Sequence, residues 1–95
     1  MADDRDVERK LETTLSERGQ RYGNYGHMSA LSCLLQKALR SALDTNRRDL
    51  VLPQQSHAMD MICVKLARLA NGDVRDPDGW RDIAGYAILA MESCE

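Results

Sequence analysis

DPDGWRDIAGYAILA, residues 76–90, is the stretch on which the fold reading turns. Asp76 is a good N-cap residue, and Pro77 after it suits the first position of a helix. The body that follows is apolar on most of its circumference, through Trp80, Ile83, Ala84, Ala87, Ile88, Leu89 and Met91. One polar stripe interrupts it: Asp78, Asp82 and Tyr86 stand one turn apart. A helix apolar nearly all round is expected to be buried on several sides. This reading makes residues 77–94 the central helix of a small domain, with its free surface covered by another subunit. Gly85 and the neighbouring alanines permit close helix approach.

Working outward, the preceding segment from Pro53 to Asn71 reads as a second amphipathic helix stopped by Gly72. Ala58, Met59, Ile62, Cys63, Leu66, Leu69 and Ala70 fall on one arc; His57, Asp60, Lys65, Arg68 and Asn71 fall on the other. Residues 28–44 form a third helix, with a broad face of Leu31, Leu34, Leu35, Ala38, Leu39, Ala42 and Leu43 expected in the core. Residues 4–18 are expected to be helical too, with a thin stripe of Val7, Leu11 and Leu15. Such a stripe suits a helix lying on its own domain or on a neighbouring subunit. Gly19–His27 and Asp44–Leu52 read as loops. The expectation is an all-α, four-helix bundle-like single domain assembled as a homo-oligomer.

Composition narrows the function classes. A chain of 95 residues forms one domain with a small core. Its net charge of −2 provides no general basic field for a nucleic-acid polymer. Three widely spaced cysteines, Cys33, Cys63 and Cys94, argue against a disulfide framework or a zinc site and are expected as buried small apolar residues. The charged N-terminus has no apolar leader and no run is long enough for a membrane span, so a soluble, cytoplasmic protein is expected.

Two groups of residues carry the candidate chemistry. The Gly-rich segment GQRYGNYGH places Arg21, Tyr22, Tyr25 and His27 together. Glycines allow close backbone approach, tyrosines stack on bases, and Arg pairs with phosphate. Against this stands a simple tight turn whose tyrosines cover the end of a bundle. Lys65 and Arg68 could complete a phosphate corner, with Asp82 and Tyr86 on the facing edge of the last helix; ordinarily such charges form a solvated face. Asp78 and Asp82, with Asp60 and His57, form a weak Mg²⁺ pattern. The bland reading has Asp76 capping its helix and Asp82 pairing with Lys65 or Arg68. No metal site is therefore assigned, and no nucleophile elbow, P-loop or dinucleotide fingerprint occurs.

The succession RYGNYGH, MDMICVKLARLANGD and DPDGWRDIAGYAILA resembles a family of small bacteriophage and prophage proteins with a W-x-DIAGYA-x-L helix. The matching positions span roughly residues 18–92 and include Tyr22, Gly23, Lys65, Arg68, Trp80, Asp82 and Tyr86. That family looks distantly like the all-α nucleoside triphosphate pyrophosphohydrolases of the MazG and dimeric dUTPase kind, whose EExxE and ExxD carboxylates bind Mg²⁺. Asp82 aligns with the end of the ExxD pattern, but Gly79 stands at its glutamate and Leu31–Lys37 holds no acidic residue. The resemblance therefore implies nucleotide binding without cleavage. It suggests a phage anti-defence sponge for a cyclic nucleotide or cyclic ADP-ribose-like signal, acting in the infected cell's cytoplasm. The ligand would be held by Arg21, Tyr22, Tyr25, His27, Lys65, Arg68, Asp82 and Tyr86, with no cofactor. The alternatives are a Mg²⁺-dependent pyrophosphohydrolase and a module that binds a host protein.

Overall fold

The computed structural model describes residues 9–11, 24–46 and 48–94, and these are all-α. Residues 9–11 are helical; the rest of the expected 4–18 helix lies outside the described residues. Three long helices follow: α1 (Tyr25–Thr45), α2 (Pro53–Asn71) and α3 (Pro77–Glu92), with a 3₁₀ turn at Arg48–Leu50 between α1 and α2.

The helix ends follow from local chemistry. Asn24 caps α1, its Oδ1 accepting from the His27 backbone N–H at 3.1 Å. Tyr25, Gly26 and His27 are therefore the first turn of α1 and not part of a loop, which corrects the boundary expected at Met28. A Cβ at Gly26 would lie 3.1 Å from that same capping oxygen, so a glycine there leaves the cap undisturbed. At the other end Asn46 caps α1, its side-chain amide donating to the Ala42 carbonyl at 2.7 Å. Helix α2 spans the expected residues. Pro53 occupies its first turn, and the Leu52 N–H donates to the Gln55 side chain at 3.1 Å. Asp76 caps α3 as anticipated, accepting from the Asp78 N–H at 3.1 Å. That helix closes at Glu92, with Ser93 as its C-cap.

Packing departs from the expectation. Helix α2 touches both neighbours, whereas α1 and α3 do not touch each other. The central helix is thus Pro53–Asn71, and the last helix lies on an edge. Contacts at Lys65–Asp82 and Gln55–Cys94 make α3 antiparallel to α2, and the short link from Thr45 to Pro53, with the Arg40–Asp60 contact close to that turn, does the same for α1. The buried apolar residues are Met28 on α1 and Ala58, Cys63, Ala67 and Leu69 on α2; α3 has none. A helix resting against one partner can bury only one stripe, and α3 uses Gly79, Ile83, Tyr86 and Ala90 for it, none more than partly buried. The broad α1 face is corrected in the same way. Leu34 is 67 % exposed, and Ala38 and Ala42 are exposed, while Met28 and Ser32 turn inward.

The cysteines divide as well. Cys63 is buried, but Cys33 and Cys94 are exposed, and all three are free thiols. Burial, with a smaller contribution from the Asp60 carboxylate, pushes the Cys63 thiol up. Thiolate is the reactive form, so Cys63 has both less of it and less access. In a native disulfide-exchange titration, Cys33 and Cys94 are expected to react fast and Cys63 to wait for denaturant. Three fast thiols would mean that α2 is not packed between its neighbours.

Candidate functional site

The last two turns of α2 and the first turns of α3 meet closely because residue 79 is a glycine. A Cβ there would stand 2.7 Å from Leu69 Cδ2, so any larger residue would force the buried Leu69 or the helix to shift. Beside the crossing is a cleft of about 30 Å³, lined by Lys65, Arg68, Asp73, Asp76, Asp78 and Asp82 around Leu69 and Gly79. That is room for about one water molecule.

Four carboxylates and two cations line it. Lys65 Nζ lies 3.0 Å from Asp82 Oδ2, with the Lys65 side chain 17 % exposed and that of Asp82 48 %. A cation this far withdrawn from water depends on its partner more than a surface lysine does. Asp78, at the cleft's rim, also accepts from Arg81 at 3.0 Å in an exposed pair that contributes little to stability. Asp76 is buried and committed to capping. Asp73 Oδ1 accepts from the Arg75 N–H at 2.9 Å and so shapes the turn between the helices.

Asp82 also borders a second feature. An open depression of about 560 Å³ runs along α3 past Arg81, Gly85, Tyr86 and Leu89. A Cβ at Gly85 would meet nothing within 4 Å, so the helix backbone is open to a flat group there. Tyr86 is set by His57 of α2, their ring centroids 6.0 Å apart and edge-to-face at 75°.

Of the residues singled out from sequence, Lys65, Arg68 and Asp82 come together at the cleft, and Tyr86 lies beside them in the depression. Tyr25, 77 % exposed, and His27 stand at the start of α1 and line neither feature. Arg21 and Tyr22 lie outside the described residues. Asp76 was legible only as a cap residue, and Asp73 was missed. Nothing in their spacing announced that the α2–α3 turn would bring them to the same cleft as Arg68. The Mg²⁺ pattern does not assemble: Asp60 pairs with Arg40 of α1 at 3.2 Å, away from Asp78 and Asp82. Among the described residues no three His, Cys, Asp or Glu side chains group as metal ligands. Nor, among them, is any helix long and apolar enough to cross a membrane.

Comparison with known proteins finds one family, described as "Domain of unknown function (DUF6378)", matching residues 8–94. No curated protein and no solved structure matches the chain. The chain belongs to the DUF6378 family.

Proposed function

We propose that this DUF6378 protein binds a nucleotide-derived small molecule at the α2–α3 edge and retains it without cleaving it. The observation that carries the reading is the double position of Asp82, which borders both the charged cleft and the open depression. The cleft alone is far below the ~300 Å³ that small-molecule sites usually need. Cleft and depression together offer what a nucleotide presents. Its phosphate meets Lys65 and Arg68, its ribose hydroxyls or base amine donate to Asp82, and a planar base lies along Gly85 and Tyr86. The surplus of carboxylates favours a ligand with several donors and few phosphates, as cyclic nucleotides and cyclic ADP-ribose-like molecules have. The resemblance to phage proteins makes an immune signal of that class the first ligand to try, with sequestration in an infected cell as its purpose.

Isothermal titration with cyclic mono- and dinucleotides and ADP-ribose derivatives tests the reading, followed by heat release and mass spectrometry. At least one member is expected to bind and to be recovered intact. Lys65→Ala should weaken binding tenfold or more, about 1.4 kcal/mol, with the helical circular dichroism unchanged. Absence of binding to every member sinks the proposal. Release of phosphate or pyrophosphate that stops with chelator replaces it with the hydrolase.

A further inference from the structure

The three helices form a single layer with two unlike sides. Both α1 and α3 run antiparallel to α2 and flank it without touching each other. On α1 the residues Leu34, Ala38 and Ala42 lie about 120° from the packing stripe of Met28, Ser32 and Leu43, at 100° per residue. On α3 the residues Trp80, Ala84, Ala87 and Met91 lie about 100° from the stripe of Gly79, Ile83 and Tyr86, in the opposite rotational sense. Because the two helices face α2 from opposite sides, both strips turn to the same side of the layer. Between them α2 presents Met59, Ile62, Leu66 and Ala70. The Arg40–Asp60 and Lys65–Asp82 pairs and the His57–Tyr86 contact fall on the other side by the same geometry.

Among the described residues nothing covers the apolar side. Leu34 is 67 % exposed, Leu66 37 %, Trp80 49 % and Met91 58 %. With the exposed alanines 38, 42, 70, 84 and 87, the patch measures on the order of 700 Å². That exceeds what monomers ordinarily expose and approaches the ~800 Å² that each partner contributes to a stable interface. Leu11, the middle residue of the N-terminal apolar stripe, is 59 % exposed and so is not seated on this face.

We infer that this face is the contact surface of a symmetric homodimer, in which two three-helix layers pack apolar side to apolar side. The strip on α3 repeats at 80, 84, 87 and 91, the three-four spacing of helices that interlock, and its two alanines admit a neighbouring backbone. A two-fold arrangement brings the same patch from each copy together. The polar cleft then faces outward on each subunit, so each copy carries a complete site and ligand binding is independent of dimerisation. The inference is separate from the ligand proposal and can fail without it.

Sedimentation velocity and light scattering on the full chain, from low micromolar to submillimolar, provide the test. The expected mass is twice the 10.7 kDa of the chain. Leu34→Glu and Met91→Glu should each give a monomer at low concentration with helical dichroism retained. Leu89→Glu, on the cleft side, should stay dimeric. Trp80, the only tryptophan, reports without mutation: in the dimer its emission should be blue-shifted and shielded from acrylamide. A monomer at every concentration overturns the inference. So does a dimer in which Trp80 remains freely quenched, or one that Leu89→Glu breaks and the two seam variants do not.

Discussion

Leu69→Ala is expected to lower stability by about 2–5 kcal/mol, seen as a fall in melting temperature on the order of 15 °C at fixed protein concentration. Leu69 is 4 % exposed, and the core around it is small. Among the described residues the other buried apolar ones are Met28, Ala58, Cys63 and Ala67, and none of the large side chains is less than 2 % exposed. Leu69 is the large residue at the point where α2 meets the first turn of α3, in contact distance of Gly79. Its loss removes transfer free energy and leaves a void at the one crossing that positions the cleft. With so few other buried contacts, α3 has little else to hold it. Thermal unfolding followed at 222 nm checks this; a change below ~1 kcal/mol would mean that the α2–α3 crossing is not formed in solution.

Gly79→Val carries the second large effect, expected at about 1–3 kcal/mol of destabilisation. The first added carbon would stand 2.7 Å from Leu69 Cδ2 and 3.1 Å from its Cγ. Leu69 is buried and cannot swing aside freely, so α3 must move outward by a fraction of an ångström or more. That motion separates Lys65 from Asp82, so affinity for a ligand of the proposed class should fall along with stability. The two substitutions test one contact from both sides. Leu69→Ala vacates the space that valine at 79 needs, so the double variant is expected to be more stable than the sum of the single effects by at least ~0.5 kcal/mol. Strict additivity would remove Gly79 from the crossing.

Much of the chain was legible because its helix signals are local. Pro53, Gly72, Asp76 and Pro77 act within one turn of where they stand, and the bounds of α2 and the start of α3 followed from them. Asn24 was missed as a cap because the glycines and tyrosines around it read as a turn. The order of packing was not legible. An apolar circumference tells how much surface a helix wants to bury, not which partner buries it. Residues 77–94 therefore read as central although α2 is. The same gap explains the face of α1: Leu34 and Ala38 have core-type side chains that their own chain leaves uncovered. Of the site, Lys65, Arg68 and Asp82 could be read from polar positions on two helices that a short turn must make antiparallel. Which cation met Asp82 depended on the register of the crossing at Gly79, which no pattern encodes. Tyr25 and His27 seemed close to the others because they share a Gly-rich segment with Arg21 and Tyr22, yet the helix that begins at Tyr25 carries them to α1.

The lack of contact between α1 and α3 has a kinetic meaning. Every long-helix contact in the described structure joins elements adjacent in sequence, so the described residues form two helical hairpins that share α2. Among the three long helices no distant segments must find each other first, and loop closure costs little. A topology this local belongs to the fast end of folding, in the microsecond-to-millisecond range. It also makes α2 the shared nucleus: α1 or α3 can detach singly, but neither hairpin survives without the middle helix of the layer. Amide exchange should accordingly be slowest along Ala58–Leu69 and faster at both edges.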